Sequence, residues 1–165
     1  MLPPFDSGSR AVLGWRMLTE LFGPDSVSLA LAGVTRDEVL SELVELVQLD
    51  PRGRSTLKKL LRRREALGST AVGRGVAIPH SRSLVVNRLH LAYGHHAKGI
   101  TYDALDGKPV HHFFLIVAPP MEISNQYLPV LGRVAQLVKE PDVPARLAAL
   151  TSPEGFFELL REKGA

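Results

Sequence analysis

The sequence predicts a single domain of the α/β class, in which helices pack against a sheet. Its 165 residues correspond to one domain, since domains contain roughly 150 residues. Apolar residues recur at helical spacing in several segments, and short apolar runs typical of strands lie between those segments. Hydrophobic residues make up 45% and charged residues 22% of the chain, which is an ordinary composition for a folded protein.

Composition excludes several classes of protein. The chain contains no cysteine, so it has no disulfide, no thiolate nucleophile and no cysteine-ligated metal. The most apolar run, 113–118, ends at two prolines and is much shorter than the about 20 residues that a membrane-spanning helix needs. The N-terminus lacks the basic and apolar regions of a signal peptide. We therefore expect a cytoplasmic protein that does not contact membranes.

The first fifty residues are predicted to form two helices and a strand. Apolar residues over 11–22 have the spacing of a short amphipathic helix, and loose alternation over 27–31 indicates a strand. Thr35 and Glu38 form a capping box. Because apolar residues then recur at helical spacing, the second helix is predicted over 36–49.

A longer, strongly basic helix follows. Asp50 is expected to cap it, Pro51 to take its first position and Gly68 to end it. The segment 52–64 carries seven bases and no acid, whereas the rest of the chain has a net charge of −4. Such a patch attracts an acidic protein surface, a phosphate or a nucleic acid. A solvated helix face is the simpler interpretation of the composition alone.

The helical spacing also places one base on the inner face of this helix. The apolar stripe consists of Leu57, Leu60, Leu61 and Leu67. Arg64 lies seven residues after Leu57 and three after Leu61, so it falls on the same stripe. It is either a snorkelling side chain or a contact for an anion.

Three strands are predicted in the middle of the chain, over 76–78, 88–95 and 111–118. The last of them is apolar without alternation from Phe113 to Val117, which is typical of a strand covered on both faces. A third helix is predicted over 126–139 with Asn125 as its cap. Two short helices, capped by Asp142 and Ser152, are expected to end the chain.

One constellation of residues can carry chemistry. Arg64 precedes a Ser-Thr-x-x-Gly-x-Gly loop, and a short strand after that loop ends in Ile-Pro-His at His80. A neutral imidazole can attack phosphorus and carry a phosphoryl group. An arginine can neutralise the phosphoryl oxygens, and the hydroxyl of Thr70 can donate to them. The candidate phosphate-binding residues of the loop are Ser69, Gly73 and Gly75.

Two other functions receive less support. Three histidines could bind zinc if they converged. Because neighbouring residues of a strand face opposite sides, the candidates are His80, one of His95 and His96, and one of His111 and His112. The chain lacks the H-x-H and H-x-x-x-H spacings that pre-organise ligands, so we expect no metal. DNA binding is disfavoured because the basic helix leads into a glycine loop rather than a recognition helix. We expect its outward bases to dock an acidic protein surface.

The segment from Arg64 to His80, R-E-A-L-G-S-T-A-V-G-R-G-V-A-I-P-H, resembles the signature of type 2 enzyme IIA domains, the fructose/mannitol type. These domains belong to the phosphoenolpyruvate-dependent phosphotransferase system, whose nitrogen-regulatory branch consists of free-standing domains. The resemblance covers 18–163 and includes the Asp-Gly-Lys-Pro-Val loop at 106–110. It implies an enzyme IIA domain over 18–165, preceded by a partly flexible extension over 1–17.

The resemblance implies a mixed sheet sandwiched by helices in three layers, without a cofactor. It further implies that His80 accepts the phosphoryl group and that Arg64 and Thr70 lie near it. Family members usually have a second histidine in a His-Leu pair, and the pair here is Tyr127-Leu128. A tyrosine donates a hydrogen bond but carries no positive charge. His112 is an auxiliary candidate for this role.

The implied partners are a phosphocarrier, either HPr or its nitrogen-branch homologue, and an enzyme IIB domain or a regulatory target. The absence of an attached IIB or IIC domain in this sequence favours a regulatory member. The expected function is therefore that of a phosphocarrier in phosphotransferase-system regulation or relay. The alternative is a non-catalytic interaction domain that keeps the fold but has lost efficient transfer with the second histidine.

Overall fold

The computed structural model describes residues 17–121 and 125–165, which form a mixed six-stranded sheet with helices on both faces. The strands are β1 (Phe22–Ser28), β2 (Ala71–Gly73), β3 (Val76–Ala77), β4 (His80–Arg82), β5 (His90–Ile100) and β6 (Val110–Ala118). The helices are α1 (Arg36–Glu45), α2 (Pro51–Leu67), α3 (Tyr127–Lys139), α4 (Val143–Ala148) and α5 (Pro153–Glu162), after a 3₁₀ turn at Leu18–Glu20. The three-layer α/β/α architecture predicted from the sequence is confirmed.

The sheet has the strand order β1-β5-β6-β3-β2, and β4 also pairs with β6. Strands β3 and β4 run parallel to β6, one after the other along its length, while β5 runs antiparallel to it. Ile78 and Pro79 separate β3 from β4. Because β4 pairs with β6 alone among the described strands, His80 lies at an edge of the sheet. His80 pairs with Ile116 of β6.

Strand β6 lies at the centre of the molecule and is covered on both faces, as its unbroken apolar run predicts. Alternate residues point into two separate apolar clusters. Phe113, Leu115 and Val117 pack with α1 and α2 in one cluster. Phe114, Ile116 and Ala118 pack with α3, α4 and α5 in the other. The two clusters fix the positions of α2 and α3 relative to β4.

Helix α2 begins where the sequence predicts. The Asp50 carboxylate accepts a hydrogen bond from the backbone N–H of Gly53 at 2.7 Å, Pro51 takes the first position, and Gly68 is the C-cap. The capping box of α1 is also formed, with the Thr35 hydroxyl accepting from the Glu38 N–H at 3.1 Å. Helix α1 nevertheless ends at Glu45 instead of residue 49, because the chain must turn toward α2.

Other predicted boundaries need correction. Strand β1 begins at Phe22, five residues before the strand predicted over 27–31. Residues 22–26 lack the apolar alternation that would have predicted this earlier start. Gln126, not Asn125, is the N-cap of α3, and Asn125 has a left-handed backbone with φ of 54°. Asp142 precedes α4 without capping it, because its carboxylate accepts from Lys163 at 2.9 Å.

Part of the predicted N-terminal organisation lies outside the described residues. Of the helix predicted over 11–22, residues 11–16 are not described, and the 3₁₀ turn and the start of β1 occupy its end. The division into an extension over 1–17 and a domain over 18–165 stays a prediction. Among the described residues, no helix combines the length and the apolar character needed to cross a membrane.

Candidate phosphoryl-transfer site

His80 is the first residue of β4, and its imidazole is partly buried. The ring Nδ1 lies 2.7 Å from the backbone carbonyl oxygen of Ile78. A carbonyl oxygen only accepts hydrogen bonds, so Nδ1 must carry the proton that is donated. In the neutral ring this leaves the lone pair on Nε2. The backbone therefore leaves Nε2 as the ring nitrogen with a lone pair.

Tyr127 lies beside His80, as the resemblance implies. Their ring centroids are 6.3 Å apart. Tyr127 is the first residue of α3 and is largely buried. Burial raises the pKa of its phenol, while the charges of Arg82 and Arg64 act in the opposite direction. The net rise keeps the phenol neutral at pH 7, so it can donate a hydrogen bond but supplies no positive charge.

Arg82 also belongs to the site, and the sequence analysis missed it. Its guanidinium carbon lies 4.4 Å from the centroid of the Tyr127 ring, which is a cation–π contact. Its Nη1 donates to the carbonyl oxygen of Pro119 at 3.1 Å. The signal that would have found it is the two-residue period of a strand, because His80 and Arg82 then share one face. That signal was hidden, since β4 itself was not predicted.

Arg64 lies at the edge of the buried face of α2 rather than on it. Its Nη1 donates to the carbonyl oxygen of Gly68 at 2.7 Å, which uses one of its five N–H groups. The predicted apolar stripe is wrong at its end, since Leu67 is 87% exposed. The buried stripe instead follows four-residue steps through Gly53, Leu57, Leu61 and Glu65. The charge of Arg64 still acts on Tyr127, which places its guanidinium near the site.

Glu65 anchors the turn that follows Arg64. Its side chain is buried, with 2% exposed, and its carboxylate accepts three hydrogen bonds. The donors are the Thr70 backbone N–H at 3.0 Å, the Thr70 hydroxyl, and the Tyr102 hydroxyl at 2.9 Å. A buried carboxylate is stable only when it is satisfied in this way. The network ties the end of α2 to the segment after β5.

The structure gives Thr70 and Ser69 roles in this turn. The Thr70 hydroxyl donates its proton to Glu65, so that proton is not directed to the site. The Ser69 hydroxyl donates to the carbonyl oxygen of Tyr102 at 2.8 Å and accepts from the Ala71 N–H at 3.1 Å. Both residues hold the loop in place. Their direct contact with a phosphoryl group stays a prediction.

Gly73 and Gly75 are not brought together with His80. They form the turn of the β2–β3 hairpin, where Gly73, Arg74 and Gly75 have φ of 91°, 58° and 75°. This left-handed backbone favours glycine. The hairpin lies opposite His112 on β6, whereas His80 pairs with Ile116. That offset of four residues corresponds to about 13 Å along a strand.

The auxiliary candidate His112 lies at the same distant end of β6. Its Nδ1 is 2.9 Å from the Tyr93 hydroxyl, and its ring stacks on His95 with centroids 5.1 Å apart. Burial lowers the pKa of His112 to about 4, and the charges of His95 and His111 act in the same direction. His112 therefore packs as a neutral core residue. It does not reach His80.

The remaining histidines serve the fold around β5. His96 Nε2 donates to the carbonyl oxygen of Gly33 at 2.7 Å, while its Nδ1 accepts from the Gly99 N–H at 2.9 Å. His111 Nδ1 lies 3.0 Å from the carbonyl oxygen of His96. Within residues 17–121 and 125–165, no group of three or more histidines or carboxylates has an arrangement that can hold a metal ion.

Comparison with known proteins identifies the family to which this site belongs. Residues 20–163 match the family described as phosphoenolpyruvate-dependent sugar phosphotransferase system, EIIA 2. The chain belongs to this family. Its EIIA signature from Arg64 to His80 lies within the matched region, and so does Tyr127.

Individual relatives of this EIIA domain differ in length. A nitrogen regulatory protein of Bradyrhizobium diazoefficiens is 29% identical over 144 residues, which cover 87% of this chain and 94% of the relative. The fructose-specific EIIABC component of Bacillus subtilis is 28% identical, but this chain spans only 23% of its length. The crystal structure of nitrogen regulatory protein IIA-Ntr from Neisseria meningitidis superimposes with a TM-score of 0.79 at 26% identity, covering 88% of this chain and 99% of that one.

Proposed function

We propose that this EIIA domain is a phosphocarrier that accepts a phosphoryl group on Nε2 of His80. The observation that carries the proposal is the hydrogen bond from Nδ1 of His80 to the carbonyl oxygen of Ile78, at 2.7 Å. This bond fixes the tautomer and the orientation of the ring. Preorganising a nucleophile in this way removes the entropy cost of orienting it during the reaction.

The transfer exchanges one phosphorus–nitrogen bond for another. Nε2 of His80 attacks the phosphorus of a phosphohistidine on the donor protein, and the bond from that phosphorus to the donor's nitrogen breaks. The electron pair of the broken bond stays on the donor imidazole. Nδ1 of His80 keeps its proton throughout, and the Ile78 carbonyl stabilises the positive charge that the ring gains.

Arg64 and Arg82 supply the electrostatic part of the mechanism. Phosphoryl transfer depends mainly on positioning and on neutralising the equatorial oxygens. Both guanidiniums lie close enough to Tyr127 to influence its pKa, and the Tyr127 ring lies beside His80. These contacts support a role for both guanidiniums in binding the oxygens of a group held on Nε2, with the phenol of Tyr127 as a neutral donor.

The donor is proposed to be HPr or its nitrogen-branch homologue, and the acceptor an enzyme IIB domain or a regulatory protein. A regulatory role is supported by two relatives that this chain covers almost completely and that are named nitrogen regulatory proteins. The cytoplasmic location expected from the sequence forms part of this proposal.

The test is incubation of the protein with phosphoenolpyruvate, enzyme I and HPr, followed by detection of acid-labile phosphate by mass spectrometry. We expect one phosphoryl group on the wild-type protein and none on His80→Asn. His90→Asn is the matched control, because His90 is a partly buried histidine at the start of β5 and should remain fully labelled. Labelling of His80→Asn at the wild-type level would refute the assignment.

A second candidate function follows from Tyr127, which replaces a titratable imidazole by a neutral phenol. In this case the domain binds its partner without efficient transfer. The same assay separates the two functions, since an interaction domain remains unlabelled when HPr is fully phosphorylated. Binding to unphosphorylated HPr, measured by calorimetry, would then persist.

A further inference from the structure

The surface around His80 has an unusual distribution of charge. Three segments meet there, namely 51–67, which forms α2, the segment 80–90, and 127–139, which forms α3. Together they contain eleven lysines and arginines and a single acid, Glu65. Glu65 is buried and bound to Thr70 and Tyr102. The rest of the chain contains nine bases and sixteen acids, so the positive charge of the protein is concentrated in the three segments that carry the site, although Arg54 and Lys58 pair with Glu45 on the side of α1.

The two flanks of α2 have different neighbours. Lys58 and Arg62 are four residues apart and share one flank. Lys58 lies on the side of α1, where its Nζ donates to Glu45 at 2.9 Å. Arg64 marks the other flank, since its charge acts on Tyr127. The flank of α2 that faces the site therefore begins at Leu60 and includes the residues three, four and seven positions later, namely Arg63, Arg64 and Leu67.

Large apolar side chains are exposed in the same three segments. Leu67 is 87% exposed at the end of α2, Leu84 is 89% exposed two residues after Arg82, and Leu128 is 67% exposed next to Tyr127. A single exposed leucine needs no explanation. Three of them occur in the segments that carry Arg64, Arg82 and Tyr127, and exposed apolar side chains among bases are typical of a protein interface.

We propose that this surface, with Leu67, Leu84 and Leu128 between Arg63, Arg64 and Arg82, docks a protein whose facing surface is acidic around an apolar centre. The proposal rests on the function proposed above and specifies the chemistry of the phosphoryl donor. A partner must approach closely to place its phosphohistidine against His80. Arg63, Arg64 and Arg82 form no ion pair within the described residues, and such bases select acidic partners because like charges across an interface are strongly unfavourable.

Nucleic acid fits the same charge less well. A phosphate backbone gains little from three exposed leucines, because its contacts are made by charged and polar groups. Single strands require aromatic side chains on which bases stack. Among the described residues of this surface, Tyr127 is the aromatic side chain, and its ring face is already covered by Arg82. A protein partner is therefore favoured.

The test measures phosphorylation rates from two phosphocarriers, one with an acidic surface around its histidine and a variant of it with two of those acids replaced by lysine. Wild-type protein should react at least tenfold faster with the acidic carrier at low ionic strength, and the difference should shrink at 0.5 M salt, which screens exposed charges. Arg63→Glu should reverse the preference. Arg62→Glu, on the flank facing α1, should retain the wild-type preference.

Equal behaviour of Arg63→Glu and Arg62→Glu, or wild-type protein that reacts equally with both carriers, would overturn the proposal. The apolar part is tested by calorimetric titration with the unphosphorylated acidic carrier, which needs no transfer. Leu67→Ser should weaken binding about tenfold, whereas Leu105→Ser, an equally exposed leucine in the β5–β6 loop, should leave it unchanged. Equal affinities of the two variants for the carrier would refute a contribution of the exposed leucines to docking.

The two proposals can fail separately. Absence of phosphate on His80 with both carriers would refute the proposed function, while the calorimetric titration would still report docking. Labelling of His80 without any dependence on Arg63 would refute the docking surface alone. Tight binding of a 20-base-pair duplex at 150 mM salt, lost in Arg63→Glu, would show that the surface binds nucleic acid and would overturn the proposal.

Discussion

The Glu65→Ala substitution tests the buried network behind Arg64. Alanine removes the acceptor for three hydrogen bonds, two from Thr70 and one from Tyr102. Each buried donor left without an acceptor costs about 1–3 kcal/mol. The two hydroxyls can rotate toward other acceptors, whereas the Thr70 backbone N–H cannot. We therefore expect a loss of about 1–3 kcal/mol in the free energy of unfolding, which is the cost of leaving the Thr70 N–H without an acceptor.

Urea unfolding, followed by circular dichroism, measures this loss. A typical domain has a free energy of unfolding of about 5–15 kcal/mol, so the variant should remain folded at 20 °C with a clearly lower midpoint. Glu45→Ala is the matched control. The Glu45 carboxylate pairs with Lys58 at 2.9 Å on the surface of α1, and an exposed pair contributes only about 0.2–1 kcal/mol.

The same two variants report on the site. Arg64 is adjacent to Glu65, and its guanidinium bonds to Gly68 within the turn that Glu65 holds. Loosening this turn should slow phosphorylation of His80 in Glu65→Ala, while Glu45→Ala should react at the wild-type rate. If the two variants differed by less than 1 kcal/mol in stability and showed equal rates, the assignment of Glu65 as the anchor of the Arg64 turn would be wrong.

Two further predictions concern single groups. Burial lowers the pKa of His112 to about 4 from 6.5, so between these pH values the unfolded chain binds a proton that the folded protein does not. Stability should therefore fall by about 3 kcal/mol as pH drops from 6.5 to 4, and His112→Leu should flatten this slope in urea titrations. An unchanged slope in His112→Leu would contradict the assignment of this pH dependence to His112. Tyr127→His should raise the rate of transfer from HPr about tenfold, since a charge-assisted hydrogen bond is about 1–2 kcal/mol stronger. An unchanged or lower rate would show that Tyr127 does not occupy the second-histidine role.

The sequence predicts the parts of this fold that depend on local chemistry. Asp50-Pro51 and Gly68 delimit α2 because capping and the absence of a proline N–H act within a few residues. The apolar run of β6 reveals a central strand because every second residue must face an apolar layer. His80 was predicted from the segment 64–80, whose residues are close in the sequence, whereas the hydrogen bond from its Nδ1 to the Ile78 carbonyl oxygen is seen only in the structure.

The features that the sequence does not reveal depend on pairing across the chain. Strand β4 contains only three residues, and it is a strand because it pairs with β6. Without β4, the two-residue relation between His80 and Arg82 is invisible. Glu65 was missed for a similar reason, because its buried position depends on Tyr102, thirty-seven residues later. The buried stripe of α2 was predicted from its leucines alone. That prediction wrongly included Leu67, which projects into solvent.

Arg82 changes what the loss of the second histidine means for this EIIA domain. An imidazole at position 127 would titrate near neutral pH and supply a positive charge only in part of the population. A guanidinium remains charged at every pH at which the protein is folded, and Arg82 lies 4.4 Å over the Tyr127 ring. Together with Arg64, it is the proposed source of positive charge in the site. Tyrosine at position 127 then keeps two functions, which are to donate a neutral hydrogen bond and to hold the Arg82 guanidinium through its ring. For the phosphoryl transfer proposed above, the two guanidiniums therefore take the electrostatic part that an imidazolium at position 127 would share.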